Sequence, residues 1–518
     1  MRITRRQAVS AIAAPAFCSA TRAFGQNALP EIEKGPFDGS LEGLKAYQIP
    51  EWFKDAKFGI WAHWGPQSAA EDGDWYARRM YIQGEEQYKN HLERFGHPSK
   101  VGHKEICRMW SADKFDPDHL ISLYKKAGAK YFMSMGVHHD GFDLWNSKYQ
   151  PRWNAVATGP KKDIVGMWKK AALKQGLKFG VREHLAPTYN WFAVSHGSDK
   201  DGPLAGVPYD GTDPAYKDLY HELPAGYKIS LTGMGGSMTD APQSWKNEYF
   251  LRIKDLVDNY QPDLLYTDGG MFYGDIGSRL VANHYNVNAR LHGGKCEAVY
   301  TSKRRNECET GTCVYDIERG VADGIMANAW QTDTCVGNWH YKRNIKYKTP
   351  KTVIDMLCDI VSRNGNLMLN FPLPNSGELD AEELRILDEI TKWTAVNGEA
   401  IFASRPWKTF GAGPALVSAP VTNTRFNENN RKDLTADDIR FTTKGNTLYA
   451  FAMGWPGKEA SIPSLAVGGK YDVPKVHNVE LLGHKGKLKW SQDDSALRVE
   501  LPEQKPSEYA VAFKIALA

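Results

Sequence analysis

From about residue 45 to 400, short apolar runs alternate with stretches of helical period in this 518-residue chain, and that alternation restricts its fold more than any other feature. Residues 58–63, 131–137, 178–181, 264–267 and 366–371 read as strands. Residues 117–127, 163–175, 245–260, 352–363 and 382–396 carry apolar side chains at helical spacing. Strands that alternate with helices of this length pair in parallel through right-handed crossovers. Some 350 residues of the pattern predict an α/β fold, a (β/α) TIM-like barrel, whose chemistry gathers at the C-terminal ends of the strands. An open doubly wound sheet is the alternative, but no glycine-rich phosphate loop follows the first strand. Beyond about residue 400, β-rich segments recur at roughly ten-residue intervals between Gly, Asn, Pro and Lys turns, which predicts a β-sandwich. The expected organisation is a barrel domain over 27–400 and a C-terminal sandwich over 401–518. Between 187 and 243 lies a long Gly-, Pro-, Asp- and Tyr-rich insertion, of a length that is usually functional; it should overhang the barrel mouth.

Residues 1–26 stand apart. Thr4-Arg5-Arg6-Gln7-Ala8-Val9 and the mildly apolar stretch behind it resemble a twin-arginine export signal, so a periplasmic or extracellular location is expected. Arg2, Arg5, Arg6 and Arg22 come with no acid, and without them the formal net charge of +4 falls to zero. A neutral mature chain speaks against nucleic acid or an anionic membrane as partner. No apolar run reaches the length of about 18 residues that a membrane span needs. Six cysteines remain after Cys18, with no CxxC spacing for zinc; Cys308 and Cys313 are close enough in sequence to pair. Nothing in the sequence sets an oligomeric state.

At the end of the strand 131–137, His138-His139-Asp140-Gly141-Phe142-Asp143-Leu144-Trp145 crowds imidazoles and aromatics together. Such a group suits a pocket that hydrogen-bonds hydroxyls and stacks on an apolar sugar face; a satisfied structural histidine pair is the plainer alternative. As metal ligands, His138, His139 and Asp140 would form a poor clamp, because adjacent side chains on a strand point to opposite faces. Neither a metal nor a cofactor is expected.

KFGIWAHWG (57–65), DWYARRM (74–80), the HHDGF run and VSRNGNLMLN (361–370) resemble, in order, the motifs of the alpha-L-fucosidases of glycoside hydrolase family 29. The resemblance implies a retaining exo-glycosidase that releases terminal L-fucose from fucosylated oligosaccharides or polysaccharides by double displacement. It also implies a barrel followed by a small sandwich. A catalytically inactive glycan-binding protein on the same fold is the alternative.

Glycoside hydrolysis needs one ionised carboxyl and one held as an acid. Asp268 follows the strand 264–267 and precedes two glycines. Taken alone it could be a turn cap; the resemblance implies the nucleophile. Candidates for the acid/base are Glu307, Glu309, Glu318 and Asp333. The segment YDIERG (315–320) looks most like the family's, which favours Glu318, with Glu309 and Glu183 as alternatives. Arg319 beside Glu318 could hold it ionised. His63, His138 and His139 match the family's hydroxyl-binding histidines; Trp75 matches its aromatic wall, and Trp64 is a second candidate for that wall. Phe272 could meet the sugar methyl or pack in the core. Arg182, Glu183 and His184 depart from the family pattern, which has small or hydroxyl-bearing residues and a tyrosine there.

Overall fold

Eight parallel strands form the core of the first part of the chain: β1 (Phe58–Ala62), β2 (Tyr131–Val137), β3 (Lys178–Glu183), β4 (Leu264–Thr267), β5 (Val299–Ser302), β6 (Val314–Tyr315), β7 (Trp330–Cys335) and β8 (Gly365–Asn370). The structure is a computed structural model, and it describes residues 29–237, 241–418, 426–430 and 433–518. Neighbouring strands pair in the order β6-β5-β4-β3-β2-β1-β8-β7. A single parallel bridge between Asp316 and Gln331 spans the remaining gap, so the sheet is a nearly closed barrel. β1, β2, β4 and β8 are buried along their whole length, as expected of strands that are covered on both faces by parallel neighbours and helices.

The helices start where the sequence supplies caps. Asp116 accepts from His119 N ahead of Pro117, Asp163 from Gly166 N, and Thr349 from Thr352 N ahead of Pro350. Asp380 and Glu383 form a reciprocal capping box at the helix Ala381–Ile401. The sequence reading misses the helix Asp275–Leu291 and strands β5, β6 and β7.

The C-terminal part consists of β9 (Arg405–Ala412), β10 (Ile439–Lys444), β11 (Thr447–Ala452), β12 (Glu459–Ile462), β13 (Val476–Leu481), β14 (Trp490–Gln492), β15 (Leu497–Glu500) and β16 (Val511–Leu517). They form two antiparallel sheets, β13-β16-β11-β10-β9 and β12-β15-β14. Phe441, Leu448, Ile462, Val479, Leu497 and Phe513 share one apolar core between them. The export-signal expectation for residues 1–26 lies outside the described residues. Among the described residues no helix is long and apolar enough to cross a membrane.

The insertion after β3 folds back over the strand ends. Buried Arg78 donates to the Trp191 and Ser230 carbonyls, tying both arms of the insertion to the DWYARRM segment. The HHDGF loop is locked from below. Gly141 takes φ +70, a conformation that costs glycine little. Asp143 receives Arg252 through Nη2 (2.6 Å) and Nε (3.2 Å), and the same Nη2 donates to Gly141 O (2.6 Å). Trp145 Nε1 donates to Asp255 (2.9 Å). Most of the motif is therefore scaffold, and only its two histidines face the mouth.

Both members of the Asp143–Arg252 pair are fully buried. Arg252→Met should therefore strand a carboxylate and cost about 3–5 kcal/mol of stability. A chemical-denaturation series should show that loss, and the double variant Arg252→Met/Asp143→Asn should recover part of it. A single variant as stable as the parent would show that the pair does not hold the loop.

Candidate active site

A cleft of about 490 Å³ lies at the C-terminal ends of the barrel strands. Its lining includes His63, Trp75, His138, His139, Asp268, Phe272 and Glu318, so most of the residues singled out by sequence converge here. It also includes Asp74, Arg182, His184, Lys303, Trp339 and Phe426, and the insertion contributes Pro187 and Met234.

Asp268 leaves β4 with its N–H donated to Glu183 O (3.0 Å). One carboxylate oxygen meets Lys303 Nζ at 2.5 Å; the other faces His184 Nδ1 at 3.3 Å and His139 Nε2 at 3.4 Å. Arg182 Nε donates to His184 Nε2 (2.8 Å), so the proton of a neutral His184 sits on Nδ1, toward Asp268. Burial opposes ionisation of Asp268, but the Lys303 ammonium and the two imidazoles outweigh it and hold the carboxyl well below the usual range.

Lys303 reaches Glu318 as well, at 2.6 Å. Burial pushes Glu318 up, and although Lys303 pulls it down, the negative Asp333 and Asp268 add to the rise. The two carboxyl groups of one pocket are thus driven apart, one toward the anion and one toward the acid. Arg319, the neighbour that could have held Glu318 ionised, turns away at φ +45 and pairs with Glu428 at 2.5 Å.

On the opposite wall, Gln67 Oε1 accepts from Ala77 N (3.2 Å), which turns Gln67 Nε2 to His138 Nδ1 (2.8 Å). The proton of His138 is therefore on Nε2. His63 presents two ring nitrogens with no hydrogen-bond partner among the described residues, and its ring lies 4.8 Å from that of His138. Burial holds His63, His138 and His184 well below the ordinary histidine value, so they are neutral and can both donate and accept. Asp74 accepts from His340 Nδ1 (2.7 Å) and lies 3.7 Å from His63 Nε2. The Trp75 ring meets His139 and Trp191 edge-on.

The expectation for Trp64 is corrected, and the alternative acids Glu309 and Glu183 lie outside the cleft lining. Trp64 is buried beneath the site, packed on Trp110 and Phe115 with Nε1 donating to Pro374 O (2.9 Å); it does not line the cleft. Glu309 is exposed and pairs with Arg305. Glu183 is buried behind Asp268, with its carboxylate accepting from Leu185 N (2.9 Å) and Tyr249 OH (3.0 Å). Asp140 turns toward His103 (3.4 Å), away from the two histidines. The donors of His63, Asp74, His138 and His340 do come within 4.8 Å of one another, a spacing that could hold a metal and equally suits vicinal hydroxyls. Sequence reasoning passed over Asp74, Lys303, Trp339 and His340 as site residues; Asp74 alone carried a signal, from its place in the matched DWYARRM motif. Cys308 and Cys313 are buried free cysteines with their sulfurs 2.8 Å apart.

A family model described as "Alpha-L-fucosidase" matches residues 26–399, and one described as "Alpha-L-fucosidase C-terminal domain" matches 431–517. The chain is 25% identical to human tissue alpha-L-fucosidase over 488 residues, covering 91% of this chain and 89% of that one. It is 26% identical to the Bos taurus tissue enzyme over 504 residues, covering 91% and 88%. Among solved structures, Thermotoga maritima alpha-fucosidase in complex with fucose is similar in fold, with TM-score 0.69 and 22% identity over 93% of this chain and all of that one. Alpha-L-fucosidase isoenzyme 1 from Paenibacillus thiaminolyticus gives 0.63 and 19%, over 92% and all of its chain.

Burial drives Glu183 up to about 7 from an ordinary 4.5. An acid whose folded value is raised makes the fold lose stability as pH climbs from the unfolded to the folded value, here from about 4.5 to 7. Glu183→Gln keeps an acceptor for Leu185 N and cannot ionise. Its unfolding free energy should exceed the parent's by about 1–3 kcal/mol at pH 8, and the advantage should vanish near pH 4.5. Equal pH dependence in parent and variant would show that the carboxyl is not strained.

Proposed function

The chain belongs to the alpha-L-fucosidase family and is a glycoside hydrolase, and from that premise we propose that it cleaves its substrate with retention, by double displacement through Asp268 and Glu318. The observation that carries this reading is the Lys303 bridge. One ammonium touches an oxygen of each carboxyl group at 2.5 and 2.6 Å, so those oxygens stand no more than about 5 Å apart. Retaining enzymes hold their carboxyl groups about 5–5.5 Å apart; inverting enzymes leave about 6.5–9.5 Å for a water.

In the first step an oxygen of ionised Asp268 attacks the anomeric carbon while Glu318 passes its proton to the departing glycosidic oxygen. In the second, Glu318 as carboxylate takes a proton from water, which attacks the same carbon and releases Asp268. His63, His138 and His139 are suited to bind the fucose hydroxyls, His138 as a donor through Nε2. Trp75 and Phe272 offer the apolar surface that a 6-deoxy sugar's methyl group needs. The substrate is a terminal fucosyl group on an oligosaccharide or polysaccharide. The N-terminal twin-arginine-like pattern supports export to the periplasm or beyond. The change of texture near residue 400 supports a division into a barrel domain over 27–400 and a sandwich over 401–518.

A proton NMR time course of aryl α-L-fucoside cleavage should show the alpha anomer of fucose first; initial beta anomer would contradict the proposal. Asp268→Ala should abolish turnover of every fucoside. Glu318→Ala should lose about 10²- to 10⁴-fold on natural glycans and far less on dinitrophenyl or fluoride substrates, which need no protonation to depart. Glu309→Ala should match the parent. If Glu309→Ala instead shows the leaving-group dependence, the acid has been misassigned.

A further inference from the structure

A general acid has to stand on the side from which the leaving group departs, because its proton goes to the glycosidic oxygen. If Glu318 is that acid, as proposed above, the sugar attached to fucose extends past Glu318. The wall there is built by a segment from far outside the barrel. Residues 426–430 lie between the spans matched by the two family models, beyond β9, and return to the barrel mouth.

This strap is fastened to the segment that carries Glu318. Phe426 N donates to Glu318 O (2.9 Å) and Glu428 N to Arg319 O (3.0 Å). The Asn427 side chain accepts from Val321 N and donates to Val321 O, both at 3.1 Å. The Glu428 carboxylate is buried among Arg319 (2.5 Å), Lys348 (3.2 Å) and the Thr334 hydroxyl (2.6 Å). What so much anchoring presents is one aromatic ring. Phe426 sits at φ +58, a left-handed conformation unfavourable for a bulky residue, and its side chain lines the cleft while remaining 52% exposed. Backbone held against its preference by surrounding contacts, carrying a large apolar side chain into a polar cleft, is a feature of ligand clamps. Burying the rest of that ring needs a flat apolar partner.

We propose that Phe426 is the stacking platform for the leaving-group sugar, a neutral pyranose that lays its apolar C–H face on the ring. Because the platform hangs from the backbone of Glu318, occupation of this subsite and placement of the acid are mechanically linked. A segment outside the barrel thereby sets which fucosylated glycans the barrel accepts.

Phe426→Ala separates this role from a purely structural one when it is assayed on two substrates. One is an α-L-fucosyl-galactose disaccharide, which places a pyranose in the subsite; the other is α-L-fucosyl fluoride, which places none there. The ratio of kcat/KM for the disaccharide to that for the fluoride should fall about tenfold, mostly through KM, and Phe426→Trp should restore it. An unchanged ratio would overturn the proposal. So would a parallel fall on both substrates, which would mean that the ring only holds the strap and Glu318. The leaving-group dependence of Glu318→Ala, large on the disaccharide and small on the fluoride, is the separate check on the Asp268–Glu318 reading.

Discussion

The ammonium of Lys303 is the interaction on which the active site depends. Two carboxyl groups share a buried pocket with two of their oxygens no more than about 5 Å apart, and at an effective dielectric near 20 a pair of bare anions at that limit repels by about 3 kcal/mol. Burial penalises both charges. Lys303 contacts both oxygens, but the surroundings decide which carboxyl keeps its charge. Asp268 has His184 and His139 on its second oxygen, whereas Glu318 faces the further negative charge of Asp333. Lys303 in turn stays protonated, because Asp268, Glu318 and Asp333 outweigh its own burial. Its backbone N–H donates to Gly269 O (2.8 Å), which ties the end of β5 to the turn after β4 and keeps the cation in register with the carboxylate.

Below this triad the barrel interior is a polar column. Tyr131 OH donates to Gln331 (2.9 Å), and Gln331 to Asp316 (2.7 Å). Asp333 holds Arg182 at 2.7 Å, and Arg182 holds His184. Burial and the adjacent Asp333 push Asp316 well above the carboxylate range, so it keeps its proton beside an ionised Asp333. The Arg182 guanidinium is sandwiched between Trp61 (3.8 Å) and Tyr266 (3.7 Å), which shields a charge with no access to water. The members are linked one to the next, and the column ends at the imidazole that faces Asp268. The departure at 182–184, which looked in the sequence like a more charged mouth, is therefore mostly an internal brace.

The legible parts of the chain were those where one physical signal acted alone. β2 and β4 are continuous apolar runs, and their limits were read correctly as 131–137 and 264–267. β5 (Val-Tyr-Thr-Ser) and the two-residue β6 carry too little apolar sequence to show, and in β7 the inward side chains are Gln331 and Asp333 of the column. His63 and Trp64 were read together as pocket residues. They are consecutive in an extended chain, where neighbours point opposite ways, and only the histidine faces the cleft. Lys303 sits in a Lys-Arg-Arg run that reads as a solvated basic patch, yet its side chain is 3% exposed. Phe426 was illegible for a different reason: its position depends on a strap that docks more than a hundred residues away from its partner, Glu318, in sequence.

The pH dependence of kcat/KM in Lys303→Met tests the division of labour between the two carboxyls most directly. Removing the cation takes away the main stabilisation of the Asp268 anion, so its folded value rises and the acid limb should move to higher pH. The same substitution removes the cation that most lowers Glu318, so the alkaline limb should move up with it, and the profile should shift as a whole around a lower maximum. An acid limb that stays in place in a folded, active variant would contradict the account, because Asp268 would then be ionised by something other than Lys303.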